Sequence, residues 1–186
     1  MAYLTEIQLQ AMGFKKVGRN VRISERASIY NAEKIEIGDH SRIDDFCVIS
    51  GKVTIGRNVY IGVFCNVAGG APGVTLGDFS TLAYGCHVFS QSDDYHGYTL
   101  TNPTVPAKYK NEVKKSVHIH KHCIVGASSL VFPGVTLAEG TAVGAMTLVN
   151  KSTAAWSVYL GIPARRVKDR KRGLLELEKQ YLQEGL

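Results

Sequence analysis

The stretch Ile119–Val149, IHKHCIVGASSLVFPGVTLAEGTAVGAMTLV, places an aliphatic residue at every sixth position: Ile119, Val125, Val131, Leu137, Val143 and Val149. A helix would repeat its apolar face about every 3.6 residues and a half-buried strand every second residue, so neither produces this beat. Short β-segments joined by tight turns do. The same spacing runs N-terminally through Val17, Ile23, Ile29 and Ile35 and, after a two-residue slip, through Ile37, Ile43, Ile49, Ile55, Ile61 and Val67. A three-residue insertion leads to Leu76, Leu82 and Val88. An internal repeat of this kind predicts an all-β solenoid.

A second inward position follows four residues after each anchor. It is small or β-branched at Ser41, Val53, Val59, Ser80, Ser129, Val135, Thr141 and Thr147. All four cysteines fall on it, Cys47, Cys65, Cys86 and Cys123, and are therefore expected to be packing residues rather than metal ligands or disulfide partners. Glycine often follows the anchor directly, at Gly38, Gly56, Gly62, Gly77, Gly126 and Gly144. The expectation there is a sharp turn with unusual backbone angles.

With 186 residues and 45% hydrophobic content, the chain suits one core. No apolar run is long enough to span a bilayer and the start does not read as a signal segment, so a cytoplasmic protein is expected. The net charge of +6 is concentrated in ARRVKDRKR, Ala164 to Arg172, where six bases and one acid leave about +1 for the rest. So local a charge suits a phosphorylated small molecule as well as a polyanion and a solvated surface better than either, and no nucleic-acid partner is expected. Three segments follow: an N-terminal helical segment (1–16) with Thr5 as cap and Gly13 as stop, the solenoid (17–163), and a basic turn with a C-terminal helix (164–186). In that last helix Leu174, Leu175, Leu177, Tyr181 and Leu182 are expected on one face.

The beat breaks between 89 and 116, where SQSDDYHGYTLTNPTVP (Ser90 to Pro106) brings two adjacent acids, a histidine and two prolines. Together with VTIGRNVYIG, VTLGDFSTLAYG, CIVGASSLVFPGVTLAEGTAVGAMTLV and GIPARRVK, this pattern resembles the hexapeptide-repeat acyltransferases, and within them the sugar O- and N-acetyltransferases. The resemblance implies a left-handed parallel β-helix, acetyl-CoA as co-substrate, a sugar or nucleotide-sugar acceptor and a homotrimer with sites between subunits. It implies a pantetheine path along Gly126, Ala127, Ser128 and Gly144, Ala145, Met146, with CoA phosphates near Lys151, Arg165, Arg166 and Lys168. It also explains the broken beat, since the family ejects a catalytic loop there.

Where the family carries a catalytic histidine this chain has Asp93. An alcohol needs a base to remove its proton before attack, whereas a neutral amine needs only positioning and later proton loss. Asp93 therefore tilts the expectation toward an amino sugar, with Asp94 beside it to bind the acceptor or orient an imidazole. His122, read as facing outward, is the preferred proton acceptor and His87 the second choice. His96, His118 and His120 read as surface residues, and Trp156 as the closure of the last coil. Two alternatives stand beside this reading: a γ-carbonic-anhydrase-like zinc site from His87, His118 and His122 shared between two subunits, and a non-catalytic scaffold.

Overall fold

The computed structural model describes residues 2–185, so the outermost positions of the segments expected at 1–16 and 164–186 lie outside the described residues. The chain forms a left-handed parallel β-helix of about seven turns. Each coil is a triangle of three short strands, and each anchor stacks on the anchor one coil away. The first face carries Val17, Ile37, Ile55, Leu76, Ile119 and Leu137. Ile23, Ile43, Ile61, Leu82, Val125 and Val143 form the second. The third holds Ile29, Ile49, Val67, Val88, Val131 and Val149. All these anchors are buried except Val17 and Ile29, which are partly covered near the N-terminal end. Each buried side chain contributes about 1.5–3 kcal/mol, and the stack makes those contributions continuous.

The second inward position is buried throughout, cysteines included. All four thiols are free. Cys47, Cys65, Cys86 and Cys123 donate to the turn carbonyls of Gly62, Ala83, Gly126 and Ala138 at 3.0, 2.9, 3.2 and 3.2 Å. Ser41 and Ser129 donate in the same way to Gly56 and Gly144.

The turn glycines differ from expectation. None of those that follow an anchor has a positive φ; a Cβ at Gly38 would lie 2.6 Å from the Gly56 carbonyl carbon, and one at Gly126 would lie 2.5 Å from the Ala145 nitrogen. Close stacking of successive turns excludes a side chain there. The left-handed residue comes two positions later, at His40, Phe46, Asn58, Phe64, Phe79, His122, Ser128 and Met146, with φ between 53° and 61°.

The two-residue slip is absorbed by a 3-10 turn at Ala32–Lys34 after Asn31, whose φ is 61°. Helix α1 (Glu6–Ala11) is capped by Thr5, whose Oγ1 accepts from the Gln8 amide while the Gln8 side chain accepts from the Thr5 amide. Helix α2 (Leu174–Gln183) keeps part of the expected face, with Leu174 and Leu175 part-covered and Tyr181 against the solenoid, and corrects the rest: Leu177 and Leu182 are 65% and 41% exposed, and Glu178 meets the solenoid as well. The basic segment expected as a turn is a strand, Arg165–Asp169, antiparallel to Ser157–Leu160 at the C-terminal edge of the second face.

Candidate active site

The loop leaves the third corner, between the third and first faces. Phe89 still pairs with Ala68, so the excursion begins at Gln91. Gln91–Ser92 pairs antiparallel with Val113–Lys114 to form a neck, and the coil resumes at Val117. Gly70, φ 50°, makes room for the neck: a Cβ there would overlap the Gln91 side chain.

Inside the loop the two acids differ. Asp94 Oδ1 accepts from the His96 amide at 2.7 Å, and Oδ2 accepts from the amides of Tyr98 and Thr99 at 2.9 and 3.0 Å and from the Thr99 hydroxyl at 3.2 Å. These donors, the His96 amide first, hold its carboxyl below the usual aspartate range. Thr99 Oγ1 in turn accepts from the Asn111 amide on the returning limb. Asp93 accepts a single long bond, from the Asn102 amide at 3.3 Å. Asp94 is thus the staple of the loop, and Asp93 retains capacity for a ligand. Tyr95 and Tyr98 project almost fully into solvent.

His122 is not outward-facing. It occupies the left-handed position of the first corner, between the first and second faces, and is 6% exposed. Its ring stacks on Phe79 at 5.5 Å, and its Nε2 lies 2.9 Å from Glu178 Oε2 of α2, whose other oxygen pairs with Lys121 at 2.5 Å. Burial raises the Glu178 pKa, but Lys121 and His122 outweigh it and hold the carboxyl below its ordinary value. The Arg170 guanidinium donates to the carbonyls of His122 and Gly140 at 2.6 and 3.0 Å, and Trp156 closes the stack at 6.2 Å from the His122 ring. The protomer therefore does not bring His122 together with Asp93 and Asp94, because the left-handed corner turns it beneath α2. His87 is exposed on the third face between Asn66 and Leu130, and His118, on the first face, is bonded to Ser116.

The turns expected to take pantetheine lie in a ladder on the second corner, between the second and third faces. The Ser128 amide donates to Tyr84 O and the Met146 amide to Ala127 O, both at 2.8 Å. Ala145, Met146 and Ile162 are exposed, Met146 at 70% and Ile162 at 73%. Lys151 is exposed but follows the third face, apart from the basic strand. Within that strand Arg166 is bonded to Ser157 and paired with Asp169, while Arg165 and Lys168 have no ion-pair partner among the described residues. The N-terminal half of this corner exposes an aromatic row, Phe46, Phe64 and Tyr84, that sequence reasoning overlooked. Its one signal was Phe or Tyr recurring two or three residues after an anchor.

A family model for bacterial transferase hexapeptides (six repeats) matches residues 34–69. The chain is 42% identical over 184 residues to a dTDP-4-amino-4,6-dideoxy-D-glucose acyltransferase of Escherichia coli, covering 97% of this chain and 95% of that protein. It is a member of the hexapeptide-repeat acyltransferase family. Among solved structures, AntD, an N-acyltransferase from Bacillus cereus, superposes with a TM-score of 0.96 at 43% identity in complex with dTDP and 3-hydroxybutyryl-CoA, covering 98% of this chain and 97% of that one. A serine-to-alanine variant of AntD in complex with dTDP-4-amino-4,6-dideoxyglucose and coenzyme A gives 0.97 at 44%, covering 98% of each chain. Within one protomer the histidines of the zinc alternative lie on the third face, the first face and the first corner.

Proposed function

We propose that this acyltransferase moves a short acyl group from acyl-CoA, acetyl-CoA or a hydroxyacyl relative, to the amino group of a nucleotide-linked amino sugar. The observation that carries the reading is likeness along nearly the whole chain to AntD, solved with both a dTDP-amino sugar and coenzyme A, combined with Asp93 where an O-acetyltransferase would need histidine. The attacking amine forms the C–N bond as the C–S bond of the thioester breaks. The CoA thiolate leaves, and the amine proton passes to a carboxylate or to the thiolate.

In this scheme Asp93 holds the amine and takes its proton, Asp94 keeps the loop in shape, and a backbone amide of the second corner steadies the oxyanion. The pantetheine arm follows Gly126, Ala127, Ser128 and Gly144, Ala145, Met146, with Arg165 and Lys168 near the phosphates and Arg166 held beside them. Lys151, at a different corner, and His87 enter only through a neighbouring protomer. A cytoplasmic homotrimer is part of the proposal, supported by apolar side chains on the outer side of the third face, Phe89 and Phe132 in contact at 5.1 Å among them. A role in surface-polysaccharide synthesis draws on the 26% likeness to a putative colanic acid biosynthesis acetyltransferase, WcaF, of Escherichia coli K12. The decisive experiment incubates the protein with acetyl-CoA and 3-hydroxybutyryl-CoA against dTDP-4-amino-4,6-dideoxyglucose and a hydroxyl analogue, following product by mass. Acylation of the hydroxyl analogue alone would overturn the amine assignment.

A further inference from the structure

Direct transfer requires donor and acceptor to meet end to end. If the donor's arm occupies the C-terminal half of the second corner, as proposed above and on which this inference rests, the acceptor approaches along the N-terminal half of the same edge. That half carries Phe46, Phe64 and Tyr84 on successive coils, 48%, 60% and 58% exposed. The rings of Phe46 and Phe64 stack at 5.1 Å with an interplanar angle of 13°. The Arg26 guanidinium lies 5.7 Å from the Phe46 centroid and reaches Asp45 only at 4.0 Å.

Neither folding nor turn chemistry asks for this row. Phe46 and Phe64 sit at φ 59° and 61°, a region that bulky side chains enter at a cost. Corresponding corner positions elsewhere carry Asn58, Ser128, Gly134 or Gly140; among the bulky ones, Phe79, His122 and Trp156 pack against one another beneath the C-terminal segment, and Met146 is exposed on the proposed pantetheine path. Half-exposed rings return little of that cost through burial. Phe46 is enclosed between Arg26 and Phe64, so what the row offers is the other face of Phe64, backed by that stack, and an exposed aromatic face is what proteins use to receive nucleobases. Two layers, about 10 Å, separate the Tyr84 level, where the loop's coil passes, from the Phe46 level. An extended sugar diphosphonucleoside covers that reach.

We propose that Phe46 and Phe64 form the base subsite for the acceptor's pyrimidine nucleoside, with Arg26 closing the stack and Tyr84 lining the sugar end. The ligand class is a pyrimidine nucleoside diphosphate sugar. The test uses full-length protein and the Phe64→Asn and Phe46→Asn variants, because asparagine accepts the left-handed turn as it does at Asn58. Titration with dTDP alone should give a Kd raised about tenfold or more in Phe64→Asn, the range for losing one base–aromatic stack, and by less in Phe46→Asn, which removes only the ring behind it. Phe64→Tyr should restore affinity, while coenzyme A binding and particle mass in light scattering stay at wild-type values. Unchanged dTDP affinity overturns the subsite. Dissociation into protomers overturns it as well, making the row a subunit contact. Wild-type protein that binds coenzyme A but not dTDP removes the acceptor reading itself.

Discussion

Asp93 and Asp94 are neighbours with different duties, and substitution separates them. Asp93→Asn keeps the shape but loses the charge that holds an amine and accepts its proton; the expected outcome is a kcat lowered about a hundredfold, within the usual range for a lost general base, with coenzyme A affinity unchanged. Asp94→Asn removes acceptor capacity from a carboxylate with four donors, and the expected outcome is a loop cut faster by protease and a raised acceptor KM. Because the folded pKa of Asp94 is depressed, its contribution to loop order is present above the unfolded value of about 3.9 and is lost as pH falls through the lower folded value. Amide exchange of Tyr98 and Thr99, followed from pH 5 downward, should accelerate only below the ordinary carboxylate range. The place of Asp93 on the ejected loop was legible because repeat and loop run on without a gap from Leu82. His122 was not: its burial depends on a left-handed corner that leaves no mark in the six-residue beat and on Glu178, 56 residues later in the chain.

At the scale of elements, the strands were readable and the corners were not. The beat reports which side chains point inward, so the core and the four cysteines followed from it. Backbone angles at a corner depend on how tightly the next coil stacks, which is why the role of the glycines was misplaced. Gly126→Ala should be poorly tolerated, with a lowered melting midpoint and weakened coenzyme A binding, since its Cβ has no room against the Ala145 amide. On the docking side of α2, Tyr181, whose hydroxyl accepts from Asn58 at 2.8 Å, was on the expected face, whereas Glu178 was hidden because an acid is not read as a packing residue. Glu178→Ala leaves His122 and Lys121 without their acceptor, a loss of about 1.5–3 kcal/mol for hydrogen bonds to a charged group. It should appear as fraying of residues 170–185 in hydrogen exchange while the middle coils keep their protection.

For the whole molecule, repetition makes stability a sum over layers and their contacts, and it lines the turns of the second corner, from Phe46 and Phe64 to Ser128 and Met146, along one edge. The free cations Arg165 and Lys168 stand at the C-terminal end of that arrangement. Arg165→Glu with Lys168→Glu should weaken acetyl-CoA binding and flatten its dependence on salt, read by titration at two ionic strengths; unchanged binding would remove the phosphate assignment. The same basic strand has another consequence. A parallel β-helix has no natural last layer, because every exposed edge of backbone amides and carbonyls is a template for one more strand. Arg165–Asp169 turns back against Ser157–Leu160 and leaves charged side chains along the edge of the second face. A chain ending at Leu160 would present an open, apolar template to its copies. Such a truncation should polymerise end to end into fibres, read by sedimentation, because the basic strand proposed to meet the ligand also covers the last edge of the second face.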